Sequence, residues 1–206
     1  MTRTNALLVV LVTYFVGSIP FGAIVARVYG NVDLTKQGSG RTGATNVLRT
    51  LGKGAAAVVF GGDFFKGVFA VILAGRLAKN DPWAKLLGAM AACIGHAYSP
   101  FIGFKGGRSV TTGLAATFVI APWDSIVAVS IGGSLMKLTR YVSLGSIVGA
   151  VLGGMFMVVR GIRTRTPAYS VWGVLVGGFI VVAHRDNIQR LLAGTERRFG
   201  EPVPPA

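Results

Sequence analysis

The sequence predicts an all-α protein, a polytopic membrane bundle of about seven helices, two of them short and re-entrant. Three observations carry that expectation. The 206 residues are 52% hydrophobic and only 14% charged, whereas a soluble domain carries roughly 25% charged residues. The apolar residues fall in blocks of about 16 to 24, close to the roughly 20 that a helix needs to cross a bilayer. Finally, 21 Lys and Arg stand against 7 Asp and Glu, and nearly all of the cations lie in short segments between the blocks. Such scatter suits the positive-inside bias and anionic headgroups and speaks against nucleic acid as a partner.

The first span is expected over 6–28, kinked at Pro20 because proline cannot donate to the helical ladder. Closely followed by further blocks, it reads as a retained span and not a cleaved leader. A polar loop, 29–53, leads to a second span at 54–75, which holds Asp63 and Lys66 three residues apart. An intramembrane charge is expensive, and these two are read as a mutually neutralising pair. A loop over 76–85 precedes a third span at 86–103, with Cys93 in an apolar run as packing. Residues 113–136 are long enough to cross, yet Pro122-Trp123-Asp124 interrupts them. A proline beside a carboxylate at mid-bilayer is costly, so two half-length helices in a re-entrant hairpin are expected. Spans at 142–159 and 168–183 complete the set. In them Gly145, Gly149 and Gly153, then Gly173 and Gly177, recur at the spacing that lets helices pack closely in lipid. No linker or repeat divides the chain, so residues 1–206 are read as a single domain.

With the hairpin in place, thirteen loop cations fall on one side and seven on the other. That asymmetry predicts an outward N-terminus and a cytoplasmic C-terminus. It also gathers every glycine- and hydroxyl-rich loop on the cytoplasmic face. The first of these is "GSGRTGATNVLR", with Ser39, Gly40, Arg41, Thr45, Asn46 and Arg49. Glycines let a backbone approach a ligand and turn its N–H groups inward as an anion nest, while the hydroxyls and cations add donors and charge. The second, "FKGGRSVTTG", repeats this chemistry at Lys105, Gly106, Gly107 and Arg108, with His96 just upstream. The third, "HRDNIQR", follows the last span and sets His184 and Asn187 at the interface; Ser143 and Ser146 add hydroxyls at the same level. Two histidines, one cysteine and scattered carboxylates offer no metal-ligand spacing. A nucleophile elbow and a redox cysteine pair are likewise missing, so any chemistry must rest on positioning and charge.

"GSGRTGATNVLR", "GHAYSPFIGFKGGRSVTTG" and "HRDNIQRLLAGTE" resemble, in order and spacing, the three cytoplasmic motifs of the bacterial acyl-phosphate:glycerol-3-phosphate acyltransferases. "GSIPFG", "DFFKG" and "RYVSLGS" are similar to that family too, and the resemblance runs from about residue 14 to 199. It implies an inner-membrane enzyme that moves a fatty acyl group from acyl phosphate to the 1-hydroxyl of glycerol 3-phosphate, without cofactor or metal. Ser39, Arg49, Ser146, His184 and Asn187 fall on the family's substrate-binding positions, and Arg108 stands where the family usually has lysine. We take His184, Asn187 and Arg108 as the catalytic candidates. Two departures lie inside the loops: Arg41 replaces an asparagine, and Arg108-Ser109 replaces Lys-Gly. A small anion transporter or channel, or a family member that binds without turnover, are the competing readings.

Overall fold

The computed structural model describes residues 2–201 and is built from α-helices. The chain divides into two compact units, residues 2–115 and 116–201. Each follows from where the sequence allows a helix to begin and end.

In the first unit, α1 (Arg3–Ser18) and α2 (Phe21–Gly30) together run 28 residues, broken at Ile19-Pro20 as the proline requires. Asn31 in the left-handed region closes α2. A 3-10 turn, Leu34–Lys36, follows, capped by Asp33 on Thr35 N at 2.9 Å. Much of the expected polar loop is helical: α3 spans Ala44–Leu77, with a kink at Gly52. Gly52 has φ 87° and ψ −176°, a backbone state reserved for glycine. Apolar length marks where a chain meets lipid, not where a helix starts, so the turns of α3 before the kink escaped that criterion. Next, α4 (Pro82–Ala97) starts with Pro82 in its first turn and Asp81 capping Trp83 N at 2.8 Å. It ends at Ala97, short of the expected 103, because residues 98–103 turn through a second 3-10 segment.

Small residues bring these helices together. Gly17 of α1 meets the Ala92 backbone of α4, and Gly95 of α4 meets Tyr14 O and Ser18. No side chain would fit at either place. Hydroxyls satisfy the freed backbone: Ser99 Oγ donates to Ser18 O (2.6 Å), and Tyr14 Oη to Tyr98 O (2.8 Å).

Helix α5 is Val110–Ile120, and it ends where expected, before Pro122. In the second unit the proline opens α6 (Pro122–Thr139) rather than breaking it. At 18 residues α6 is longer than the half-length helix expected there, and it packs along α7 (Val142–Arg163). Asp124 in its first turn is paired with Arg160 near the end of α7, at 2.7 Å. The carboxylate thus has a partner at the helix end. Helix α8 (Pro167–Ala183) packs on α7, and α9 (Arg185–Leu192) bends from it by 60°. The glycine rows do as expected: Gly145 faces Gly132, Gly153 faces Ala128, and Gly154 faces Gly173. Trp172, fully buried, donates from Nε1 to Thr117 Oγ1 at 3.1 Å.

Among the described residues, α1 with α2, α3 and α7 are long and apolar enough to cross a membrane, and α8 with α9 makes a fourth if the bent pair is one span. Large apolar side chains such as Phe65, Trp123 and Val174 point outward, as they do where lipid is the solvent.

Candidate active site

The first loop is organised from within by Asn46, on the opening turn of α3 and only 2% exposed. Its Oδ1 accepts from Ser39 N (3.0 Å), and its Nδ2 donates to Arg41 O (2.8 Å), Gln37 O (3.0 Å) and Leu34 O (3.3 Å). Gly38, at φ 57°, lies so close to that amide that a Cβ would overlap Oδ1. Gly22 of α2 likewise abuts the Thr42 backbone, which fixes the loop against α2. Thr45 and Arg49, both partly buried, stand on the same turns of α3.

The second loop is clamped onto the C-terminal end of α4. Gly106 N donates to Ala97 O (3.0 Å) and Gly107 N to His96 O (3.1 Å). A Cβ on Gly106 would overlap His96 O, and one on Gly107 would overlap the His96 Nε2. These glycines therefore permit a close approach to the helix. Their amides, like those of Ser39 and Gly40, point to protein acceptors, so the expected anion nest does not form at these four N–H groups. Gly106 and Gly107 satisfy carbonyls left open at the end of α4, while Ser39 serves Asn46 Oδ1 and Gly40 serves Gln37 O. Charge toward a ligand then falls to the side chains: Lys105 is exposed, while Arg41, Arg49 and Arg108 are partly exposed. Thr42 and Lys105, one from each loop, border the same open cleft of about 840 Å³, which Arg27, Asp33 and Phe101 also line. Bonds from Thr35 hold the Asp33 carboxyl below its ordinary range, with lesser help from Lys36 and Lys105.

Ser109, where the resemblance led us to expect glycine, keeps a positive φ of 60°. Its Oγ donates to Cys93 O at 2.7 Å in a fully buried position, which offsets the strain. Beneath the loop, His96 Nδ1 lies 3.4 Å from Asp63 Oδ1, and Lys66 Nζ lies 2.7 Å from the same oxygen. The expected Asp63–Lys66 pair is thus present, and His96 joins it. Lys66 also donates to Ile19 O at 2.9 Å, at the break between α1 and α2.

The second unit holds the remaining candidates. His184, 3% exposed, caps α8, and its Nδ1 meets Ile180 O at 2.8 Å. A carbonyl can only accept, so Nδ1 carries the proton and a neutral ring has its lone pair on Nε2. Asn187, on the first turns of α9, donates from Nδ2 to Glu196 Oε1 at 2.6 Å; its Oδ1 is buried without a protein hydrogen bond. Ser143 Oγ donates to that same Glu196 oxygen at 2.7 Å, and Arg190 Nε to Oε2 at 2.7 Å. Ser146 is buried one turn along α7 from Ser143.

Glu196, 7% exposed, is the organising residue that the sequence reading missed. Its signal was present: a lone carboxylate amid Arg190, Arg197 and Arg198, two residues after a glycine. Burial pushes the Glu196 carboxyl up, but bonds from Ser143, Asn187 and Arg190 outweigh that and hold it below the ordinary range. Beyond it the tail is tied back, with Arg140 Nη2 donating to Phe199 O at 2.8 Å and Phe199 N donating to Arg140 O at 2.6 Å. Among the described residues no cluster of three or more His, Cys, Asp or Glu could hold a metal ion.

Membrane-length apolar helices joined by loops rich in cations and hydroxyls define a multi-pass membrane protein. A family model described as glycerol-3-phosphate acyltransferase matches residues 7–194, and the chain belongs to that family. Glycerol-3-phosphate acyltransferase 1 of Deinococcus radiodurans (strain ATCC 13939) is 45% identical over 204 residues, covering 98% of this chain and all of the relative. Two crystal structures of PlsY (YgiH), described as an integral membrane glycerol 3-phosphate acyltransferase, share the fold. The glycerol 3-phosphate form aligns at TM-score 0.88 and 38% identity, covering 95% of this chain and 96% of that one. The lysophosphatidic acid form aligns at 0.85 and 37%, covering 95% of each.

Proposed function

We propose that this chain is a glycerol-3-phosphate acyltransferase that takes its acyl group from acyl phosphate. The family match across residues 7–194 carries the reading, and the chemistry of the loops supports it. Both substrates bear phosphate, which suits loops that offer cations beside an apolar membrane body. The acyl chain needs lipid and the acceptor needs water, so a membrane protein with polar loops serves both.

Acyl phosphate is a mixed anhydride, and it brings its own activation. The 1-hydroxyl of glycerol 3-phosphate attacks the carbonyl carbon, the carbonyl–phosphate oxygen bond breaks, and lysophosphatidate and inorganic phosphate leave. The hydroxyl proton passes to His184 Nε2 or to a substrate phosphate oxygen. The Nδ1 bond to Ile180 O supports the first choice, because it sets the tautomer a base needs. In the first unit Arg108, Lys105 and Arg49 stabilise phosphate charge and Ser39 donates to it; in the second Ser146 offers a hydroxyl, and Asn187, held by Glu196, presents its buried Oδ1 as an acceptor. Asn46 shapes the first loop, which carries Gly40 and Arg41, and Thr45 follows it on α3. The whole chain serves this one reaction, in a bacterial cytoplasmic membrane with the loops facing the cytosol.

Purified protein incubated with palmitoyl phosphate and glycerol 3-phosphate should release phosphate and form lysophosphatidate in equal amounts. Substrate flux across proteoliposomes without phosphate release, or binding without turnover, would overturn the proposal. Trapping an acylated protein would overturn direct attack.

A further inference from the structure

We infer that Asp63, Lys66 and His96 form a membrane-embedded positioning device that sets both cationic loops against one buried carboxylate. Resting on the functional reading above, this gives the three residues a positioning role. Electrostatic neutrality does not require three members. Lys66 at 2.7 Å already neutralises Asp63, yet His96 Nδ1 is brought to 3.4 Å of the same oxygen. The opposite edge of the ring shows why. His96 Nε2 presses on Gly107 so closely that no Cβ could stand there, while Gly107 N donates to His96 O and Ser109 Oγ to Cys93 O. A rotation that carries Nε2 further toward Gly107 therefore displaces that residue, and with it Arg108.

Lys66 acts in the other direction. Its ammonium donates to Ile19 O, the carbonyl at the Pro20 break, and so fixes where α2 begins. Helix α2 in turn meets the Thr42 backbone at Gly22. One carboxylate thereby registers the first loop through Lys66 and α2, and the second through His96. Both loops reach the same cleft, at Thr42 and Lys105, so a shared reference within the span sets the spacing of their charges.

The test compares His96→Ala, His96→Asn, Gly107→Ala and the double variant His96→Asn with Gly107→Ala, using the purified full chain. Asparagine keeps a donor where Nδ1 stood and clears the space that Nε2 filled. His96→Ala should raise KM for one of the two phosphate-bearing substrates about tenfold, with kcat changed less than about threefold, and His96→Asn should recover most of that loss. Gly107→Ala should cost about 100-fold in kcat/KM when the native His96 is present, but under about tenfold in the His96→Asn background. If His96→Ala does not fold, the Gly107→Ala pair decides. Equal loss of His96→Ala and His96→Asn, or equal loss of Gly107→Ala in both backgrounds, overturns the inference. Wild-type protein without acyl transfer would sink the functional proposal instead. The melting temperatures of Gly107→Ala in the two backgrounds would then still read the contact.

Discussion

At the scale of single residues, Glu196 shows how one carboxylate can set several side chains at once. With its folded pKa below the unfolded one, Glu196 contributes stability that is fully present above the ordinary glutamate range, about pH 4.3. That contribution is lost as pH falls through the folded value. Thermal unfolding in detergent should therefore show wild-type protein weakening below that range and Glu196→Gln flat there. At neutral pH the same variant should be less stable by about 1–2 kcal/mol, through the lost charge on its bond from Arg190. Ser109 yields a second expectation. Ser109→Ala keeps the positive φ but loses the bond to Cys93 O, and should cost about 1–2 kcal/mol. Ser109→Gly loses the same bond but relieves the strain, and should melt closer to wild type. Arg49→Ala should reduce turnover by at least about 100-fold while leaving the melting curve in place. Near-normal activity would remove Arg49 from the site. Of these residues, Arg49 and His184 stood out as candidates from charge and interfacial placement. Glu196 did not, although its arginine neighbours were in view, because the bond from Ser143 that shows its role crosses 53 residues.

At the scale of elements, proline punctuation was the most legible feature. Pro20 breaks a span and Pro122 divides two helices, as expected, while Pro82 and Pro167, read as loop residues, open helices as well, because a residue without an N–H has few other places in a helix. The small-residue rows were legible for a similar reason, since glycine inside a helix is costly unless something packs there. What stayed hidden was the start of α3 and its kink at Gly52, where polarity masks helicity. Gly145→Val would drive a branched side chain into Gly132 O and Met136. It should part α6 from α7 and lower stability by about 1–3 kcal/mol, measured by thermal unfolding in detergent.

At the scale of the whole molecule, the cation count predicts one orientation for every loop. Single cysteines placed at accessible positions of the two loops, such as 41 and 105, should be labelled from the cytosolic side by a membrane-impermeant maleimide. Residue 3 should be labelled only from outside. The native Cys93 is fully buried and should stay silent in that experiment, so no cysteine-free background is needed. Labelling of the two loops from opposite faces would dismantle the functional proposal.

Because Gly106, Gly107, Ser39 and Gly40 turn their amides inward, the proposed function leaves discrimination between anions chiefly to jointed guanidinium and ammonium arms. Such a grip weighs valence more than shape. Phosphonate or thiophosphate mimics of either reactant should therefore be tolerated as competitors, and their hold should slacken as counter-ions accumulate.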